Sequence, residues 1–455
     1  MDSNCIPSNE DESDTNSNLS EQLNEKSLLF TDLSEDDISN ITSDLLEQID
    51  SYMKSEIISI SSPNFNSSMI EAISTNLFEE WISQKLCDED DEEIYDEITE
   101  FVEQIVDYYF DFTPIPRRAK AYSIDIQEKE NLDIDIIQKK IDFLQRIPQP
   151  AQKTKEWYDF RNGLISASNL WKVFGTESQR NSLILEKCQP SSGFDYSRLG
   201  TDSAMHWGNK YEPVTVMVYE NMFETKIGEF GCIQHPKYSF IGASPDGINI
   251  DPSNLRFGRM LEIKNIVNRE ITGIPKQEYW IQTQIQMEVC DLDECDFMET
   301  RFLEYESDEA FYKDIDREYR GVILHFIERD LKHNSVPIYK YMPIDISLDI
   351  ENIQKWIQTT REDYRDEGLV LFNTLYWYLE EYSCVLIERN QIWFDNAVPK
   401  IEELWRIIEK ERVEGYEHRA VRKRVSVTMC SDLSNNSYVI NNMPLQNSIC
   451  LVKLE

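Results

Sequence analysis

Three residues in two neighbouring stretches have the types and spacing for chemistry on a phosphodiester. The segment Met260-Leu-Glu-Ile-Lys264 places Glu262 and Lys264 two residues apart in a run that reads as a β-strand. Residues i and i+2 of a strand share a face, so the carboxylate and the ammonium point the same way while Ile263 faces the opposite core. Upstream, Gly242-Ala-Ser-Pro-Asp-Gly247 sets Asp246 in a Pro/Gly turn at a strand end. If the two strands are neighbours, two carboxylates and a lysine converge at one end of a sheet. Two carboxylates suit a hard divalent cation such as Mg²⁺, which takes oxygen ligands and keeps several waters. Such a cation polarises a phosphate and acidifies a bound water. The lysine then orients or deprotonates that water, or offsets charge on phosphorus, and a bound metal beside Lys264 is expected to depress its pKa. Each motif alone has a plainer reading. Asp in a Pro-Asp-Gly turn serves the turn, and Glu-x-Lys on a strand serves as a surface pair.

The elements that must position these residues alternate between helix and strand. Helical spacing appears over Ile38–Phe112, Asp133–Arg146, Met205–Phe223 (with Pro213 near its first turn or bending it), Gln277–Val289, Asp308–Arg329, Leu348–Arg365 and Ile401–Glu411. Glu156–Gly175 reads as helix, turn and helix. Short β-rich runs fall at Ile227–Gln234, Tyr238–Ala243, Met260–Ile266, Cys295–Leu303 and Tyr382–Arg389, separated by Gly, Pro, Asp and Asn turns. The predicted class is α/β, a small mixed sheet flanked by helices. Fifteen residues separate Asp246 from Glu262, so Asp251-Pro-Ser-Asn254 must form a larger turn than a tight hairpin.

The chain has 455 residues and a net charge of −40, unevenly spread. Residues 1–110 hold 29 acids against Lys26, Lys54 and Lys85, a net of −26, which leaves −14 for the rest. Residues 1–35 lack the apolar content to offset their ordering entropy and read as a disordered acidic tail, followed by acidic helices over 36–135. The acid run Asp88–Glu93 reads as a solvated face, with a DNA-mimicking or partner-binding surface as the sharper alternative. Residues 136–414 form the catalytic domain, with its motifs in 150–305, and 415–455 a tail. His418–Arg424 holds four bases, a charged helix end or a nuclear-targeting or nucleic-acid patch. Nine scattered cysteines without a C-x-x-C pair argue against a disulfide framework or zinc site and for reduced, intracellular thiols. The polar start and the lack of a long apolar run argue against a signal peptide and a membrane span. A soluble, intracellular protein of the cytoplasm or nucleus is expected.

A local basic patch interrupts this acidity. From Arg146 to Gly175 the only acids are Glu156 and Asp159, while Lys153, Lys155, Arg161 and Lys172 surround the stretch. The planar guanidinium of Arg161 can bind a phosphate bidentately. Ser166-Ala-Ser168 before Asn169 reads as a helix start, whose free N–H groups attract anions. A surface ion pair of Arg161 with Asp159 or Glu156 is the plainer alternative. Likewise Glu212 could be an ordinary exposed helix residue, and Gln282 with Gln286, one turn apart, a polar helix face. Trp157, Trp171, Trp207 and Trp280 read as core.

Five ordered blocks together carry a resemblance: Glu156–Ser168, with Trp157, Arg161 and Ser166-Ala-Ser168; Met205–Pro213, with Gly208 and Glu212-Pro213; Ser244–Gly247; Glu262–Lys264; and Tyr279–Met287, with Gln282 and Gln284. In this order they resemble the phage lambda exonuclease and YqaJ-like viral recombinase nucleases of the PD-(D/E)xK superfamily, with a looser likeness at Cys384–Arg389 and Pro399–Trp405. The resemblance implies a restriction-endonuclease-like core. It implies Mg²⁺, or Mn²⁺, bound by Asp246, Glu262 and the Ile263 carbonyl, with Glu212 as a further acidic ligand, direct or through water. Lys264 would be the catalytic lysine, Gln282 would orient the lysine or water, and Arg161 with Ser166, Ser168 and Ser244 would bind DNA at a 5′-terminal phosphate. The implied activity is 5′-to-3′ exonuclease digestion of linear double-stranded DNA in recombination, repair or genome processing, beside a single-strand annealing protein and in a homo-oligomer. An endonuclease of the same superfamily and an inactive DNA-binding scaffold are the rival readings. Asn265 departs from the small residue, Thr or Cys expected after the lysine.

Overall fold

The computed structural model describes residues 33–121, 133–150, 154–190, 203–328 and 337–420. Residues 1–32 of the expected acidic tail, Lys153, and Arg422, Lys423 and Arg424 lie outside them, while Glu35, read as the end of that tail, opens a helix.

Three helices open the described chain: α1 (Glu35–Ser55), α2 (Phe65–Gln84) and α3 (Glu92–Phe112). Ser34 and Asp37 form a capping box on α1, and Asp91 caps α3. Acids fill both first turns, where they complement the helix dipole. Each helix buries one stripe, such as Ile38, Leu45, Ile49 and Met53 on α1, and leaves its acids in water. The buried stripes join the main hydrophobic core. The joint is polar as well. Arg118 donates to the Ser61 and Pro275 carbonyls, and Gln277 Nε2 donates to Ser61 Oγ at 2.9 Å.

The rest is mixed α/β, as the helix–strand alternation predicted. Among the described residues one sheet has eight strands, ordered β10-β9-β11-β8-β7-β6-β3, with β1 also on β11. Its strands are β1 (Lys120–Ala121), β3 (Ile227–Gly228), β6 (Gly247–Asn249), β7 (Met260–Asn265), β8 (Glu294–Glu304), β9 (Arg320–Glu328), β10 (Ile338–Tyr341) and β11 (Leu369–Glu388). A smaller sheet runs β2 (Ile165–Ser166), β5 (Ile241–Ala243), β4 (Ile233–Gln234). Only β7 with β8 and β2 with β5 pair in parallel. A parallel pair needs a crossover, and the connection from β7 to β8 runs through helix α9 (Gln277–Cys290).

Residue alternation on β7 sorts its two faces. Leu261 and Ile263 pack with Tyr211, Val214 and Val218 of α8 (Ala204–Met222). Met260 joins Trp280, Ile281 and Ile285 of α9 in the main core. Glu262 and Lys264 therefore face α9, and the site lies between that helix and the sheet.

Several elements differ from the sequence reading. Asp308–Arg329 is not one helix: α10 spans Asp308–Lys313, and Arg320–Glu328 is strand β9. The run Val322-Ile-Leu is apolar at either period, and pairing with β10 and β11 makes it a strand. The strand expected at Tyr382 begins at Leu369, so β9, β10 and β11 enlarge the sheet and pack against α11 (Ile350–Arg365). Pro213 lies in the middle of α8, not its first turn. Among the described residues no helix is long and apolar enough to cross a membrane.

His235, behind the small sheet, gives a pH-dependent prediction. Its Nδ1 accepts the N–H groups of Lys237 and Tyr238 at 3.0 and 3.2 Å, and its ring stacks on Phe394. Burial, then Arg389 and Lys237, pushes its pKa down to about 4 from the ordinary 6.5. The neutral ring is the native form, so its stability is present above pH 6.5 and is lost as pH falls toward 4. Roughly 3 kcal/mol of unfolding free energy should go in that window. Urea titrations at pH 7.5 and 4.5 should show a smaller drop for His235→Gln than for the parent. Equal drops would remove the assignment.

Candidate active site

The Ser-Pro-Asp-Gly turn links β5 of the small sheet to β6 of the large one, and β6 pairs antiparallel with β7 through Gly247–Leu261 and Ile248–Met260. Gly247 has no alternative here, because a Cβ would stand 2.2 Å from Ile227 Cγ2. That close approach seats β3 against the turn carrying Asp246. The predicted larger turn follows β6. Asp251 Oδ1 accepts the Ser253 N–H at 2.9 Å, Asn254 Nδ2 reaches the Phe223 carbonyl at 2.8 Å, and Gly258 takes a φ of +81° that a side chain would strain.

Asp246 Oδ2 accepts the Ile263 N–H at 2.7 Å. The N–H and carbonyl of one strand residue point to the same side, so the Ile263 carbonyl also faces Asp246. Glu262 is fully buried. Its Oε1 accepts from Lys264 Nζ and, at 2.7 Å, from Gln282 Nε2. Its Oε2 accepts from Gln286 Nε2 at 2.7 Å, an amide that also lies 3.2 Å from the Ser244 carbonyl. The structure thus brings together Asp246, Glu262, Ile263, Lys264, Gln282 and Ser244. It adds Gln286, to which the sequence reading gave no role although it lies one turn beyond Gln282. It also adds Tyr279, whose ring centre is 5.1 Å from Lys264 Nζ. Glu212, exposed on α8, is near enough to act electrostatically on Asp246 and Tyr341.

Electrostatics define what the site can hold. Burial holds the Asp246 carboxyl well above the usual carboxylate range, Glu262 and Glu212 push it further, and Lys264 opposes them. Burial pulls the Lys264 ammonium down, but Glu262 and Asp246 outweigh it and leave the group above its ordinary value. Among the chain's own groups carboxylates dominate; the depression expected beside a bound metal needs the added cation, whose charge acts in the opposite sense. Among the described residues no three His, Cys, Asp or Glu side chains are gathered closely enough to hold a metal ion by themselves. A cation that keeps most of its waters needs fewer protein ligands. Asp246, with Glu262 and Glu212 both acting on it, against one lysine leaves negative charge that a divalent ion fits. Ser244 Oγ and Gln286 Oε1 lie buried there without a hydrogen-bond partner.

The basic patch lies alongside. Ser166 on β2 pairs with Gly242 on β5, four residues before Asp246. Arg161, on α5 (Lys155–Asn162), donates to Ser166 Oγ at 3.2 Å, and its guanidinium lies 4.6 Å from the Trp157 ring centre. Ser166 Oγ is 3.2 Å from Ser168 Oγ. Lys172 turns instead to Glu186. The predicted helix start is real but brief, Ala167–Leu170 (α6), and Ser166 spends its hydroxyl on Arg161 and Ser168 rather than capping it.

Comparison with known proteins agrees with the motif blocks. Residues 156–293 match the YqaJ-like viral recombinase domain. "Uncharacterized protein R354" of Acanthamoeba polyphaga mimivirus is 30% identical over 303 residues, covering 58% of this chain and 54% of the relative, so the chain spans about half of that protein's length. Two solved structures are similar in part. An alkaline exonuclease from Laribacter hongkongensis is 19% identical with a TM-score of 0.34, covering 58% of this chain and 97% of its own. A phage-related exonuclease from Haemophilus somnus 129PT is 14% identical with a TM-score of 0.30, covering 56% and 96%.

Proposed function

We propose that this chain is a magnesium-dependent nuclease that degrades linear double-stranded DNA from a 5′-phosphorylated end. The observation that carries this reading is the meeting of the Asp246 turn with the Glu262–Lys264 face, with carboxylate charge in excess. Asp246, Glu262 and the Ile263 carbonyl hold Mg²⁺ (Mn²⁺ is the substitute), with Glu212 adding charge directly or through water. The bound ion supplies Lewis-acid polarisation of the phosphate and a more acidic water. The protein's own part is positioning. Gln282 and Gln286 pin opposite oxygens of Glu262, so that carboxylate cannot rotate. Lys264 places positive charge where charge grows on phosphorus and reaches a water beside it. Arg161, steadied on Trp157, offers its planar fork with Ser166 and Ser168 to the terminal phosphate, and Ser244 contacts the strand beside Asp246. The match of residues 156–293 to a viral recombinase domain supports a setting in DNA recombination; a role in repair, a single-strand annealing protein as partner and a homo-oligomer complete the proposal.

End-labelled duplexes test this. With Mg²⁺ the protein should digest linear DNA, spare a closed circle, and favour a 5′-phosphate over a 5′-hydroxyl end. A charged hydrogen bond is worth about 1.5–3 kcal/mol, so Arg161→Ala should erase a preference of roughly tenfold or more. Cutting of the closed circle would make the protein an endonuclease. Inertness on every substrate would leave a DNA-binding scaffold. Equal rates on both ends in the parent would remove the role of Arg161.

A further inference from the structure

Asn265 directly follows the lysine, yet its side chain leaves the Glu262–Lys264 face and enters the interface with α8. Its Oδ1 stands 2.8 Å from Thr215 Oγ and 2.7 Å from Thr300 Oγ, both hydroxyls on fully buried residues. Its Nδ2 donates to the Gly208 carbonyl at 3.1 Å. Gly208 lies four residues before Glu212 and Thr215 three after it, so the two grips bracket Glu212 along the helix. The bracket falls where α8 is weakest. Pro213 has no N–H to give the Asn209 carbonyl, and a mid-helix proline favours a kink. The turn carrying Glu212 is held from outside by the packing of Tyr211 and Val214 on Leu261 and Ile263, by Lys210 and Tyr211 on Glu304 at 2.6 and 2.8 Å, and by Asn265 next to Lys264 on β7.

We propose that Asn265 is a positioning residue: it fixes Glu212 on α8 relative to Glu262 and Lys264 on β7, so that the third carboxylate keeps its distance from the other two. This rests on the nuclease reading for its activity arm only. Groups that hydrogen-bond a metal ligand directly change affinity or rate by about 10–100-fold when removed; Asn265 acts on Glu212 through the helix backbone, so the lower end of that range is expected.

The test is a double-mutant cycle of Asn265→Ala with Glu212→Gln, read by DNA hydrolysis in Mg²⁺, by Mn²⁺ affinity of the protein alone in isothermal titration, and by thermal melting. Asn265→Ala alone should slow hydrolysis and weaken Mn²⁺ binding by about tenfold. In the Glu212→Gln background the same change should cost less than about twofold in both, because the group it positions is already gone. Asn265→Asp, which keeps the acceptor but cannot donate to the Gly208 carbonyl, should fall between and serves if the alanine variant does not fold. Losses that multiply fully in the double variant would overturn the proposal and leave Asn265 a packing residue. So would unchanged Mn²⁺ affinity in the single variant. If the parent hydrolyses no DNA, the nuclease reading fails, and the Mn²⁺ cycle still decides the role of Asn265.

Discussion

Asp246→Asn should end DNA hydrolysis and at the same time raise the melting temperature. The two effects share one cause. Burial and the charges of Glu262 and Glu212 hold the Asp246 carboxyl well above its ordinary range, so folding favours its neutral form. Stability from this group is present below the unfolded value of 3.8 and is lost as pH rises through the folded value. Wherever the group is ionised in the folded protein, its negative charge is a cost that a bound cation would offset. Asparagine keeps the shape and the acceptor for the Ile263 N–H and removes the charge. Relief of this kind gives about 0.5–2 kcal/mol, read as a higher melting point in a buffer free of divalent ions. The activity loss should reach at least about 10³-fold, since Lewis-acid stabilisation of the transition state is worth several kcal/mol. Lys264→Met should lose a comparable rate. Glu262→Gln should lose the rate but gain no stability, because Glu262 already satisfies Lys264, Gln282 and Gln286. An amide in its place presents donors to donors, at about 1–3 kcal/mol. An Asp246→Asn protein within tenfold of parent activity would end the assignment of this site.

The arrangement behind that prediction was legible in the sequence to the extent that it depends on short-range periodicity. Glu262 and Lys264 share a face because strand alternation leaves no other choice. Gln282 and Gln286 share one because four residues is nearly one helical turn. Adjacency of the Asp246 turn to β7 was legible only in part: the strand read before the turn, β5, pairs with β2 and β4 in the small sheet, and β6, after the turn and not read from the sequence, is the one that pairs with β7. What depended on distant chain was not legible. The ionisation of Lys264 is set by a carboxylate from another strand, and the sign expected beside a metal differs from the sign its protein neighbours impose. Asn265 looked like a departure from a pattern, because its partners Gly208, Thr215 and Thr300 lie on other elements. Strand β9 was missed for a related reason: Val322-Ile-Leu is equally apolar for a buried helix and a strand buried on both faces. Only pairing with β11 and β10 separates them.

Asp296→Ala should destabilise the protein by about 3–5 kcal/mol, the cost of removing one partner from a buried ionic network. Asp296 is fully buried on β8. Its Oδ2 accepts from Arg256 and, at 2.6 Å, from the Tyr219 hydroxyl, while Arg259 lies 3.3 Å from Oδ1. Asn249 Nδ2 extends the network to the Tyr219 hydroxyl at 3.2 Å. One carboxylate thus ties α8, β6 and the turn between β6 and β7 to β8. Without it, Arg256 and the Tyr219 hydroxyl lose the carboxylate they share, while Arg259 keeps Glu294 Oε2 at 2.9 Å, and burial already disfavours the ionised phenol. Asp296→Asn retains the volume and one acceptor, so it should cost less than alanine. Glu402→Ala, which breaks an exposed pair with Arg406 on α12 (Gln391–Glu414), should move stability by less than about 0.5 kcal/mol. Guanidinium denaturation of the three variants would separate these cases. A loss under about 1 kcal/mol for Asp296→Ala would show that Arg256 and Arg259, each slightly exposed, find water instead. The same elements carry Glu212 and the turn after Asp246, so hydrolysis by Asp296→Ala should fall even where the protein remains folded, with Mn²⁺ affinity falling alongside it.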